Sequence, residues 1–555
     1  MLNNHIQEES IECLKNDIIL YSFDVFDTVI GRLATSSFGV FAMMQRLMRN
    51  NAAFCGFPDE FIENFYVLRI EAEKLAYKRR DKKKTQEIML ADIYSYLAYD
   101  FALSDEAKQQ LMTLEENVEY GLSCGVFPII KQINSLQNAG KRIVFISDMY
   151  LDECFIRKLL IKAEPSFIDI PLYVSSTYGK TKATGDLFAI VKDKENIPNH
   201  QWLHIGDNPY SDVAVPQKLG LRTKRVALLE NKSLDRLFDK QLGFNIGAQL
   251  YNGASKLARI ENDDFRFRTG CDFGGPILMA YVEWLVEQCS VRHISRLYFI
   301  ARDGYVLQKI CQAIIEKRGL NIMAQYIYSS REAWGVTDSH KKALIAKYLQ
   351  QELDVSDQSF AFVDVFGSGK TQDCMAKILK TITPYRVRSF YYYLDNYDTV
   401  VSDKFCFCRN ADIWNNIELL CKSTEGQCTG FAERNGRIVP ICREEEGEKI
   451  KKFHFSTYVD GIMSFTKYYL CADAAMHNVA HDNLPTVEWY IRIMNEFPNK
   501  SLLRYFTEFP CFPCKAHKYS SLALWERKME RNVKKVKYII KVLEKSKLLN
   551  LLKKD

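Results

Sequence analysis

The chain has 555 residues, 47% hydrophobic and 26% charged, with a formal net charge of +6. This is enough chain for more than one domain in an ordinary soluble globular composition, and the charge suits anionic substrates or an anionic membrane surface without naming either. No apolar run approaches the ~20 residues that span a bilayer.

The N-terminus, MLNNHIQEES, lacks the basic-then-apolar pattern of a signal peptide. The 16 cysteines are scattered through a long chain. They read as mostly reduced and buried in a cytoplasmic protein.

In chain order, Ile18–Ile30 (IILYSFDVFDTVI) is an apolar run ending in Asp24, with Thr28 four residues on. A buried parallel strand that delivers a carboxylate at its C-terminal end places it at the mouth of an α/β sheet, where ligands bind. From about Arg32 to Glu119 the apolar spacing is helical, as in FGVFAMMQRLMRN and EAEKLAYKRR. Lys78–Lys84 (KRRDKKK) is a basic turn, and Thr85 reads as the N-cap of the next helix. Strand character resumes at KRIVFISDM, which places Ser147 at a strand end. SSTYGKTKATGDLF supplies Lys180 and Lys182, and QWLHIGDNPYSD gives a third strand running into Gly206, Asp207 and Asp212.

These residue types suit phosphoryl transfer. A carboxylate nucleophile meets an anionic phosphoryl group, so positive charge must offset both. Mg²⁺ held by Asp24 and Asp207, with Asp212 orienting its waters, would supply it. Ser147 can donate to a phosphoryl oxygen, and a lysine can screen the aspartyl-phosphate.

Asp24-x-x-x-Thr28, Ser147, Lys182 in K-x-x-G-D-L-F, and Gly206-Asp207-x-x-x-x-Asp212 resemble the four motifs of the haloacid dehalogenase (HAD) superfamily. The resemblance covers about residues 15–230 and implies a Rossmann-like α/β domain with a helical cap between the first two motifs. It implies catalytic roles for Asp24, Asp27, Thr28, Ser147 and Lys182, and a Mg²⁺ site around Asp24, Phe26, Asp207 and Asp212. One departure stands out. Phosphatases of this superfamily usually carry a second aspartate two residues after the nucleophile, where this chain has Phe26. DVFDT is closer to the DVFGT of the metal-free dehalogenases, but the acidic GDNPYSD favours a Mg²⁺-dependent phosphatase. Asp27 is the candidate proton donor, although strand alternation turns its side chain away from that of Asp24.

Residues 231–270 hold many charges and no clear strand, and Glu261–Arg268 (ENDDFRFR) reads as exposed. A helix begins after Gly275-Pro276. Strands at 297–300, 325–330, 360–365 and 389–394 then alternate with helices, giving a second parallel-sheet domain. Two of its strand ends carry chemistry: Ala301-Arg302-Asp303-Gly304, and Asp364 to Thr371 (DVFGSGKT). Backbone N–H groups of a Gly/Ser/Thr loop at a helix N-terminus cradle anions.

Three readings of the second loop stand. GSGKT ends like a nucleotide P-loop, but Asp364 sits where that pattern needs glycine. It also suits a strand–helix turn without a ligand. Third, VDVFGSGKT resembles the 5-phosphoribosyl-1-diphosphate (PRPP) loop of type I phosphoribosyltransferases, with Val363 in place of the first of two acids. That resemblance implies ribose binding by Asp364 and 5-phosphate binding by Gly367, Ser368, Gly369, Lys370 and Thr371. It also implies diphosphate binding by the Arg302, Asp303 and Gly304 loop, bridged by Mg²⁺. Arg331 could add an anion contact but reads as a surface arginine.

Residues 401–515 read as an added module, with a hairpin signal at Asn435-Gly436. Its cysteines (Cys406, Cys408, Cys421, Cys428, Cys511, Cys514) include one CxxC, too little for a zinc site. Its aromatic residues, Phe453 to Tyr469, read as core. The tail from Trp525 is basic with near-helical apolar spacing, suiting either an anionic membrane face or the protein's own surface. Nothing has the pattern of nucleic-acid reading.

The domains expected are 1–235 (HAD-like phosphatase, cap about 32–125), 236–400 (phosphoribosyltransferase-like), 401–515 (accessory, for the acceptor) and 516–555 (basic helix). Together they imply transfer of 5-phosphoribose from PRPP to an acceptor, then hydrolysis of the 5-phosphate to leave ribofuranose. HAD-like proteins with SFDVFDT-type motifs are associated with surface-polysaccharide assembly, which makes the acceptor a glycan at the inner face of the cell membrane. The alternative is a phosphatase acting on a phosphosugar, with a non-catalytic or regulatory C-terminal half.

Overall fold

Apolar runs that end in polar loops form two separate parallel sheets, making this an α/β chain. The computed structural model describes residues 17–49, 51–242, 245–395, 401–409, 417, 419–472, 476–477, 483–496 and 498–510. The basic tail, Cys511 and Cys514 lie outside the described residues. One unit comprises Met1–Glu261 with Tyr468–His481, and the other Asn262–Lys467 with Asp482–Asp555. The 401–515 stretch is thus shared between them.

In the first unit the strands are β1 (Leu20–Asp24), β2 (Ile30–Arg32), β3 (Ser123–Gly125), β4 (Arg142–Ser147), β5 (Leu172–Val174), β6 (Trp202–Gly206) and β7 (Arg222–Arg225). The sheet order is β5-β4-β1-β6-β7, with every pair parallel. Every residue of β1 is buried, so it reads as a continuous apolar run rather than an alternation. Leu20, Val144, Ile146, Leu187, Phe188 and Trp202 share one core cluster with it. β2 and β3 pair antiparallel, and the helices Gly39–Arg49, Asp59–Arg79, Leu90–Asp100 and Asp105–Leu122 lie between them in sequence. A buried ion pair ties these helices together: Arg69 donates to both oxygens of Glu115 at 2.7 Å, and the Tyr94 hydroxyl donates to Glu115 at 2.6 Å.

Two local expectations are corrected. Thr85 caps no helix: its hydroxyl closes a turn with the backbone of Glu87, and the next helix is capped at Met89. Phe265 and Phe267 of ENDDFRFR are buried in a short helix, because a charged sequence still hides the apolar face of its turn.

The second unit holds β8 (Arg296–Ile300), β9 (Met323–Ile327), β10 (Phe360–Gly367), β11 (Arg388–Leu394) and β12 (Asp403–Cys406) in the parallel order β12-β11-β10-β8-β9. A hairpin of β13 (Cys428–Arg434) and β14 (Arg437–Cys442) follows. Asn435 and Gly436 both take positive φ, the geometry that Asn-Gly favours in a two-residue hairpin. Phe453, Phe455, Tyr458, Phe465, Tyr468 and Tyr469 are all buried. No described helix is long and apolar enough to cross a membrane.

Candidate active site

The C-terminal ends of β1, β4 and β6 converge. Asp24 closes β1, Ser147 closes β4, and Asp207 follows Gly206 at the end of β6. Lys182 comes from a short 3-10 turn and is fully enclosed. Oxygens of Asp24, Asp207 and Asp212 lie within 4.8 Å of one another, close enough to share one ion. Thr28 donates to Asp24 Oδ2 at 3.2 Å. The Lys182 ammonium donates to both Asp24 Oδ1 and Asp212 Oδ1, the latter at 2.6 Å. Asp148 holds the lysine's turn by accepting from the Lys182 backbone N–H at 2.8 Å. The Ser147 hydroxyl is buried without a hydrogen-bond partner among the described residues. The sequence-derived set Asp24, Thr28, Ser147, Lys182, Asp207 and Asp212 therefore gathers at this sheet edge.

Close packing fixes Asp212. A side chain at Gly206 would strike the Asp212 carboxyl at 2.5 Å, so only glycine lets the carboxylate lie over the strand end. Asn208 N–H donates to Asp212 Oδ2 at 3.0 Å. Behind it runs a relay that sequence reasoning missed. Trp202 Nε1–H donates to Ser22 Oγ at 2.7 Å, Ser22 lies 2.7 Å from His204 Nδ1, and His204 Nε2 lies 3.2 Å from Asp212 Oδ1. With the serine hydroxyl donating onward, the imidazole carries its proton on Nε2 and orients the carboxylate. Burial keeps His204 below its ordinary pKa, and so neutral.

The electrostatics suit a cation. Burial pushes the Asp24 pKa well up, opposed by Lys182 and reinforced by Asp212 and Asp207. Burial, then the charges of Asp27 and Asp212, raises Asp207 to about 6. Burial acts on Asp212 in the same direction, but Lys182 and His204 outweigh it and hold that carboxyl below the usual carboxylate range. Two buried carboxylates, Asp24 and Asp212, and the half-buried Asp207, with one lysine between them, fit a divalent ion such as Mg²⁺.

Asp27 lies past the end of β1, where strand alternation no longer sets its side-chain direction. Its φ is 56°, a left-handed turn that ends the period-2 pattern. It lines the same cavity as Asp207. Phe26 brings no carboxylate, and its ring packs against Arg32, whose guanidinium carbon is 4.5 Å from the ring centre.

In the second unit β8 and β10 are neighbours, with Phe299 paired to Val363, so their two terminal loops share one end of the sheet. At such a switch in strand order α/β sheets bind ligands. Asp364 accepts from Val365 N–H at 2.8 Å and from the Gln372 amide. Burial, then the charge of Asp303, raises it to about 7. Asp303 Oδ1 is buried without a hydrogen bond among the described residues, and Lys422 lies 3.8 Å away. Arg302 sits 3.6 Å from Glu446, and Gly304 opens the helix Gly304–Arg318. Gly367, Ser368 and Gly369 lead into the helix Lys370–Leu379, with Lys370 exposed and Thr371 half-buried. Gly369 takes φ 74°, and a Cβ there would strike the Lys404 side chain at 2.6 Å. Lys404, which sequence reasoning missed, thus stands over this helix N-terminus and pairs with Asp373 at 2.8 Å. Arg331 is exposed.

No family model and no curated protein matches the chain. Solved structures similar to part of it include an L-2-haloacid dehalogenase from Xanthobacter autotrophicus (16% identity, 40% of this chain and 81% of that one, TM-score 0.28). A HAD family enzyme from Bacteroides thetaiotaomicron is another (15% identity, 40% and 98%, TM-score 0.28). A third is the HAD-hydrolase YfnB from Bacillus subtilis bound to magnesium (13% identity, 39% and 90%, TM-score 0.28).

Proposed function

We propose that the first unit is a Mg²⁺-dependent phosphomonoesterase with Asp24 as nucleophile. We further propose that the second unit transfers 5-phosphoribose from PRPP to a glycan acceptor, releasing diphosphate. The first unit then removes the 5-phosphate and leaves ribofuranose. The observation that carries the phosphatase reading is the gathering of Asp24, Asp207, Asp212, Lys182 and the unpartnered Ser147 hydroxyl at one sheet edge.

Asp24, Asp207 and Asp212 would hold Mg²⁺, which supplies positive charge against the incoming phosphoryl oxygens. An Asp24 oxygen attacks phosphorus, the bond to the leaving oxygen breaks, and that oxygen takes a proton from Asp27. Lys182 and Ser147 hold the phosphoryl oxygens during this step. Water, giving up a proton to the Asp27 carboxylate, then attacks the phosphorus of the aspartyl-phosphate, releasing inorganic phosphate and restoring Asp24 and Asp27.

The transferase reading is supported by the adjacent β8 and β10 loops, the facing acids Asp303 and Asp364, and a helix N-terminus with Lys404 beside it. Wild-type protein given PRPP, Mg²⁺ and oligosaccharide acceptors should add ribose to the acceptor by mass, and Asp24→Asn should add phosphoribose. PRPP titration should give binding that Asp364→Ala abolishes. Phosphatase activity without PRPP binding would leave the first unit's assignment and overturn the second's.

A further inference from the structure

A cavity of about 320 Å³ opens beside Asp207. It lies at the small end of the ~300–1,000 Å³ range of ligand sites, so it suits one small ring rather than a chain of them. Its wall is half polar and half apolar, with charges of both signs, and Asp27, Thr35, Ser36, Asn231, Lys256 and Leu257 are among the lining residues. Lys256 belongs to the helix Ile246–Ala258, outside the stretch that carries the sequence motifs. That helix closes on the backbone of Leu33 and Ala34 because Gly253 has no side chain: a Cβ there would sit 2.2 Å from Ala34 N.

Lys256 is the unusual member. It is half-buried at the cavity wall, and burial lowers its pKa with Asp27 the leading charge in opposition. Among the described residues it makes no hydrogen bond or ion pair, and Asp27 lies beyond ion-pair distance. A partly desolvated ammonium without a protein acceptor favours a ligand that supplies one. The two cations nearby are already engaged, Arg32 with Glu119 at 2.7 Å and Arg259 with Asp235. A donor on one side and an acceptor on the other, separated by a cavity, match a group that accepts and donates at once. Hydroxyls do both.

We infer that this cavity is the leaving-group subsite of the first unit, where Lys256 donates to, and Asp27 accepts from, hydroxyls of a single sugar ring. The inference rests on the phosphomonoesterase reading and makes Lys256 a specificity-determining residue.

The test compares kcat/KM for ribose 5-phosphate with kcat/KM for p-nitrophenyl phosphate, whose leaving group is a flat ring without those hydroxyls. Wild type should favour the sugar. In Lys256→Met the sugar-to-aryl ratio should fall about tenfold or more, the scale of one lost charge-assisted hydrogen bond. Lys256→Gln, which keeps an N–H donor, should recover part of it. Lys256→Met should melt close to wild type, because the half-buried Lys256 has no hydrogen bond or ion pair among the described residues to lose. An unchanged ratio in both variants of an active enzyme overturns the subsite assignment alone. A wild type that hydrolyses neither compound overturns the phosphomonoesterase reading and this inference with it.

Discussion

Gly206 and Asp212 illustrate how much of this site is steric. Gly206→Ala should push the Asp212 carboxyl off the strand end and reduce phosphatase turnover by about 10–100-fold, the usual scale for disturbing a metal ligand's support. Steady-state kinetics on a phosphosugar would measure it. Asp207 carries the pH dependence. Its pKa is raised to about 6, so the metal-free fold is favoured while Asp207 is protonated and loses that contribution as pH rises through 6. The ionised form, in turn, is the one that ligates a cation. Mg²⁺ should therefore raise Tm more at about pH 7.5 than at about pH 5, and Asp207→Asn should flatten the difference in a thermal melt. Asp24, Ser147, Asp207 and Asp212 were legible in the sequence because strand ends announce themselves by an apolar run that stops. Ser22 and His204 were not, since polar residues inside a buried strand carry no sign of the partner 182 residues away in sequence. For Asp27, period-2 reasoning does not apply, because its φ of 56° places it in a left-handed turn beyond the strand.

At the scale of elements, helix Ile246–Ala258 and the helices after β2 each hold one contact that a single substitution tests. Gly253→Ala forces a methyl into the Leu33–Ala34 backbone and should cost ~1–3 kcal/mol by overpacking. Chemical denaturation would read it as a lower midpoint at unchanged slope. Arg69→Met leaves Glu115 buried without its bidentate partner and should cost ~3–5 kcal/mol, a far larger shift in the same measurement. The longer elements were readable from periodicity, including β8 to β11 and the helices between them. β5, β7 and β12 were not. They are three or four residues long, too short to display a period, and β7 (RTKR) has no apolar residue.

Across the whole molecule, two parallel sheets with a hairpin in the second unit could be read from the order of apolar runs and the Asn-Gly turn. The membership of the first unit could not. Tyr468–His481 joins it from far along the chain, and no local pattern encodes such a return. There Tyr469 stacks on Tyr251 with ring centres 5.2 Å apart, Tyr468 packs on Phe127, and its hydroxyl donates to Glu261 at 3.1 Å. A fragment ending at Glu261 should therefore melt well below the same unit in the full chain. Tyr469→Ala in the full chain should reproduce part of that loss, read by circular dichroism.

That returning segment also gives the protein a history. A ribosome that has just released Glu261 must add roughly 200 more residues before Tyr468 emerges, which takes roughly 10–40 s at ordinary elongation rates. Through that interval the nascent first unit carries an unfilled seat beside Phe127 and Tyr251. Vectorial synthesis thus cannot finish the first unit first: its last piece is delivered only after most of the second has been made.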